Sequence, residues 1–99
     1  MDTFRLFRRT IEGASLLDTV VPIVASSGLA GRMWSTPLSM VFIDGGHAYA
    51  SAFADYTSWS PHIVPGGILA IHDLFCDPAK GGQAPYFVYK LALASGLYA

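Results

Sequence analysis

Two apolar runs in this chain each end in side chains that can move protons or hold a cation. Ser39–Ile43 reads SMVFI and runs into Asp44, Gly45, Gly46 and His47. Ile68–Ile71 reads ILAI and runs into His72 and Asp73. Short, almost uninterrupted apolar runs are how strands buried on both faces of a parallel sheet read. In an open parallel sheet, ligands bind beyond the carboxyl ends of the strands. If the two runs are neighbours, two carboxylates and two imidazoles gather at one rim. That set suits a divalent cation or an acid/base pair.

Each residue also has a plainer reading. Asp44 could cap a helix starting near His47. His47 could bond a loop carbonyl, and His72 could turn toward a covering helix as the strand alternates. Asp55 reads as a polar group on the outer side of its helix. Tyr49, Phe53, Tyr56 and Trp59 read as core. Cys76 has no base or second cysteine near it in sequence and reads as inert. Gly45, Gly46, Gly66 and Gly67 read as devices for tight turns.

The elements that must position these groups follow from periodicity. Phe4, Phe7 and Ile11 recur at helical spacing, with Arg5, Arg8, Arg9 and Glu12 on the other face, and Gly13 is a plausible stop. Val20–Ala25 (VVPIVA) reads as a strand near an edge, because Pro22 removes a ladder donor. Ser26 to Pro37 reads as a loop with a short helical turn. Tyr49 to Trp59 is an amphipathic helix. Pro61 and Pro65 bracket a connector, and Gly66-Gly67 turns the chain into the second apolar run. Asp77 to Pro85 reads as a loop and Tyr86 to Ala94 as a final helix. This alternation predicts an α/β fold with a parallel sheet and right-handed crossovers.

Composition narrows the class. The chain has 99 residues, 53% of them hydrophobic and 13% charged, with a formal net charge of -1. That excludes a disordered tail. It is also more apolar than so small a domain can easily hide, which points to packing against something else or to membership of a larger domain. Self-association through exposed apolar surface is expected. No basic surface beyond Arg5, Arg8 and Arg9 could draw nucleic acid, and those three read as a solvated helix face. No run reaches the roughly 20 apolar residues of a membrane span. No signal peptide is recognisable at Met1 to Arg9. A lone cysteine rules out an internal disulfide and is compatible with a reducing cytoplasm.

The order VFIDGGHAY, then a helix carrying Asp55 and Trp59, then PGGILAIHD, resembles the class I S-adenosylmethionine-dependent methyltransferases. It is most similar to the small-molecule branch known as methyltransferase-24-type domains. The likeness runs from about Val20 to Asp73. It implies a partial Rossmann-like, three-layer sandwich, truncated at both ends, with residues 1–99 forming one partial domain. Val20–Ala25 would be the third strand, Ser39–Ile43 the fourth and Ile68–Ile71 the fifth. No G-x-G-x-G pattern is present, so the glycine-rich loop that grips the cofactor is absent. The 99 residues alone are therefore expected to bind S-adenosylmethionine weakly or not at all and to be inactive.

The resemblance also implies site residues. The end of the third strand lies near the adenine, which assigns Ser26 and Ser27 to the cofactor, although Ser26 stands where relatives carry an acid. Asp44 and Gly45, after the fourth strand, join them. Metal-dependent relatives of the catechol type place a metal aspartate where Asp44 stands and two more ligands where His72 and Asp73 stand. The metal would be Mg or another divalent ion. They place a base where His47 stands, to take the proton from a small-molecule hydroxyl as its oxygen attacks the cofactor's methyl group. Sugar-modifying relatives carry a second aspartate where Gly46 stands, so that version of the mechanism does not transfer. Two alternatives compete with O-methylation. One is a non-catalytic remnant or interaction module of the same fold. The other, less favoured, is a metal-dependent phosphohydrolase, whose His-Asp pair would lie on a helix rather than after a strand.

Overall fold

A computed structural model describes residues 3–45, 48–75 and 77–98. Helix α1 spans Thr3–Gly13 and α2 Ser27–Met33. Strand β1 spans Leu38–Ile43. Helix α3 spans Tyr49–Trp59 and leads through a single 3-10 turn, Ser60–His62, into β2, Ile63–Ile71. Helix α4 spans Ala84–Ala94. Pro85 sits in the first turn of α4, where its missing N–H costs nothing. Among the described residues no helix is long and apolar enough to cross a membrane.

β1 and β2 pair in parallel, with Met40 opposite Ile68, Val41 opposite Leu69, Phe42 opposite Ala70 and Ile43 opposite Ile71. β2 is longer than the sequence indicates. Its first residue, Ile63, already pairs with Leu38, and three extra residues then bulge before Met40 meets Ile68. Pro65 cannot donate to a ladder and Gly66 takes φ +83, so this stretch suits a bulge. The connector expected between Pro61 and Pro65 is thus divided: Pro61 and His62 lie in the 3-10 turn and Ile63 to Pro65 in the strand.

Val20–Ala25 does not form the expected third strand. Among the described residues the sheet has two strands, and this segment runs irregularly between α1 and α2. Two causes agree: Pro22 lacks a ladder donor, and no neighbouring strand stands beside the segment to reward pairing.

One face of the sheet is covered. Ala52 of α3 and Ala84 and Val88 of α4 form the buried core, with Tyr56 and Ile71 against it. Val41 and Ile43 point to the covered face and are 9% exposed. Met40 and Phe42, alternating with them, are 52% and 55% exposed. The second covering layer of a three-layer sandwich is therefore missing among the described residues. This also corrects the aromatic assignments on α3: Tyr49 and Phe53 are exposed, and the small Ala52 makes the close contact. Tyr49 instead meets Phe87 of α4 edge-on at 5.6 Å.

α2 and α3 are clamped at Gly31. A Cβ there would lie 2.7 Å from the Ser58 Cβ and 2.9 Å from the Trp59 Nε1. The closeness lets Trp59 Nε1 donate to the Ser27 carbonyl and hydroxyl, both at 3.0 Å. His62 Nε2 lies 2.6 Å from the Gly31 carbonyl, which accepts from it. Gly31→Ala should force the two helices apart and cost about 1–3 kcal/mol, the usual penalty for overpacking. Thermal denaturation followed by circular dichroism would read this as a lowered midpoint.

Candidate functional site

The parallel pairing sets the site. Because Ile43 and Ile71 stand opposite each other, the next residues of both strands leave the sheet side by side. The His72 N–H donates to the Ile43 carbonyl at 3.0 Å, extending the ladder one step past the strands. His72 Nδ1 then lies 3.1 Å from Asp44 Oδ1 and 3.1 Å from Asp73 Oδ2. Both aspartates and the histidine are partly open to solvent.

Backbone geometry brings Asp73 into this group. Its φ is +60, in the left-handed region that non-glycine residues seldom occupy. Aspartate tolerates it better than most. The turn folds the carboxylate back onto the histidine beside it, where an extended backbone would send it to the opposite face. Phe42 packs edge-on to the His72 ring at 6.0 Å.

The donor set fits a divalent cation. One ligand atom from each of Asp44, His72 and Asp73 can be chosen so that all lie within 4.8 Å of one another. Adjacent ligands of an octahedral ion with bonds of about 2.1 Å stand about 3.0 Å apart. The two histidine–carboxylate separations are close to that edge. An imidazole nitrogen beside two carboxylates suits Mn2+ and similar ions, whereas Ca2+ prefers oxygen alone.

A cleft of about 490 Å³ runs along β1 beside this group. Its polar end is lined by Ser27, Asp44, Gly45, Asp55 and Trp59, and its apolar length by Ile23, Ala25, Leu38, Met40 and Phe42. The structure brings Ser27, Asp44 and Gly45, three of the four residues the resemblance assigns to the cofactor, to one space. Ser26 is not in the lining. Its hydroxyl accepts from the Leu29 N–H at 3.3 Å and caps α2. Asp44 is not a cap, since Ala48 holds the N-cap position of α3 and no side chain bonds there. His47 and Cys76 lie outside the described residues.

Asp55 departs from its expected place. It faces the cleft, and its Oδ2 would lie 2.8 Å from a Cβ at position 45. The glycine after Asp44 thus has the end of the Asp55 side chain packed against it. Asp55 stands three residues after the buried Ala52 and four before Trp59, the helical spacing that puts all three on one face. Gly45→Ala should displace the Asp55 side chain and disturb Asp44. The expected reading is a weakened affinity for Mn2+ with little change in helix content, measured by paramagnetic relaxation and circular dichroism.

The profile of a family described as a methyltransferase domain matches residues 1–74. The chain belongs to this methyltransferase-domain family. The match includes both strands and all three residues of the Asp44–His72–Asp73 group, and ends before α4. The methyltransferase domain thus carries its acidic and imidazole groups at the strand tips, where an open parallel sheet binds ligands.

Proposed function

We propose that this methyltransferase domain uses S-adenosylmethionine to methylate a hydroxyl oxygen of a small molecule, with a divalent cation held by Asp44, His72 and Asp73. The observation that carries the reading is the meeting of two carboxylates and an imidazole at the tips of adjacent parallel strands. S-adenosylmethionine supplies the electrophilic methyl group. A divalent ion, when bound, would supply positive charge that makes the acceptor hydroxyl more acidic.

The chain's own residues do the rest. Asp44 and Asp73, each 3.1 Å from His72 Nδ1, would hold the cation and offset its charge. Ile43 and Ile71 form an apolar floor beneath the polar tips and keep water from entering below. Ser27, Gly45 and Trp59 line the neighbouring cleft, where the cofactor is taken to lie. His47, three residues after Asp44, is assigned the acceptor's proton. The chain is taken as one partial domain, and the segment that grips the methionine end of the cofactor is assigned to a further part of the protein.

Two measurements test this. Mn2+ titrated into the 99-residue chain should bind at one site, read by electron paramagnetic resonance, and an Asp44→Asn, Asp73→Asn double variant should abolish it. The complete protein carrying this domain, given S-adenosylmethionine and a panel of small hydroxylated acceptors, should release S-adenosylhomocysteine only when an acceptor is present. Absence of product with every acceptor would favour a non-catalytic module of the same fold. Product formation unchanged by a chelator would remove the cation from the reading.

A further inference from the structure

The polar end of the cleft carries a second pair of side chains, apart from the three cation ligands. Asp55 and Trp59 stand four residues apart on α3, and both line the cleft. That spacing sets their Cβ atoms about 5–6 Å apart on one helix face. A cleft of about 490 Å³ has the size of sites that enclose small molecules.

Both side chains are held in place. Trp59 Nε1 donates to the Ser27 carbonyl and hydroxyl, each at 3.0 Å. Trp34 and His62 pack on the indole at centroid distances of 5.4 and 6.2 Å. The indole is thus a fixed wall. Asp55 is half-buried and rests against Gly45, its Oδ2 2.8 Å from where a Cβ would stand. Any side chain at position 45 would push the carboxylate away. Ala25, Ser27 and Ala30 also line the cleft, and their small size leaves room beside the indole.

An aromatic wall beside a carboxylate selects a flat ring with an N–H at its edge. The indole can stack on a heteroaromatic ring. An ionised carboxylate accepts hydrogen bonds and donates none, so the ring edge facing it must carry a donor. In S-adenosylmethionine the flat group is adenine, and its exocyclic amine is a donor on the ring edge. We propose that Asp55 sets the nucleobase specificity of this domain, its carboxylate accepting a hydrogen bond from the exocyclic amine of adenine beside the Trp59 indole. The proposal rests on the S-adenosylmethionine reading above and adds the residue that distinguishes an aminopurine from a purine without the amine. It draws on none of the cation ligands.

The test uses the complete protein carrying this domain and two nucleosides, adenosine and purine riboside, which lacks only the amine. Each is titrated by calorimetry, beside S-adenosylmethionine. The unaltered protein should bind S-adenosylmethionine, and should bind adenosine about tenfold or more tighter than purine riboside, the effect of one hydrogen bond to a charged acceptor. Asp55→Ala should bring the two nucleosides within about twofold of each other. Asp55→Asn keeps the size of the side chain but removes its charge, and should lower the preference to below about threefold. It decides the matter should Asp55→Ala fail to fold, which circular dichroism checks. A purely structural role would weaken both nucleosides equally and leave their ratio as it was, and that result would overturn the proposal. So would equal affinity of the unaltered protein for the two nucleosides while S-adenosylmethionine still binds. Failure of the unaltered protein to bind S-adenosylmethionine would instead remove the cofactor reading, and this proposal with it.

Discussion

Replacing Asp44 with asparagine is expected to weaken divalent-cation binding by at least about a hundredfold. The size follows from position. Asp44 Oδ1 is one of two carboxylate oxygens flanking His72 Nδ1 at 3.1 Å. Its amide replacement keeps the shape but removes the charge that offsets a dication. Asp73 cannot compensate, because its carboxylate already stands at the site on the other side of His72 Nδ1. The loss should appear in a Mn2+ titration of the variant, with the far-ultraviolet spectrum unchanged, since Asp44 caps no helix. Equal Mn2+ affinity in the variant and the original chain would show that this carboxylate holds no metal. Asp73→Gly adds a contrast. Glycine suits a φ of +60 better than aspartate does, so stability should hold or rise while the cation is still lost.

The second large effect is expected at His47 in the complete protein. His47→Ala should lower turnover by about 10²–10⁴-fold, the usual contribution of a positioned general base. Affinity for S-adenosylmethionine should change little. The separation of the two effects is the informative part. A residue that merely supports the loop after β1 would disturb Asp44 and Gly45 as well, and cofactor affinity would fall with turnover. Single-turnover kinetics beside calorimetry on the same variant measures both. Unchanged turnover would take His47 out of the mechanism.

The groups at the strand tips were legible because an apolar run followed at once by charged side chains leaves few ways to fold. SMVFI and ILAI can bury themselves only inside a sheet, and the short helix between them makes a parallel pairing natural. Helix α3 was legible to the residue, since its apolar stripe and Pro61 leave little freedom at either end. Val20–Ala25 was misread because strand propensity yields extended hydrogen-bonded structure only beside a partner strand, and none stands there among the described residues. Asp55 was misread for a different reason. Helical spacing gives the angular position of a side chain but not which neighbour waits on that side, and here the neighbour is the turn at Gly45. The Gly31 clamp between α2 and α3 carried no signal in one sequence, since a glycine needed for close approach looks like any other.

The bulge in β2 has a bearing on how length changes would be absorbed. Three surplus residues lie between the pairs Leu38–Ile63 and Met40–Ile68, upstream of four aligned pairs that end at Ile43 and Ile71. They act as slack in the line. A residue inserted or deleted between Val64 and Gly67 would be taken up there, leaving the distal rungs level and His72 still beside Asp44. A single-residue insertion after Ile68 has no such reserve and would rotate His72 to the far side of the sheet.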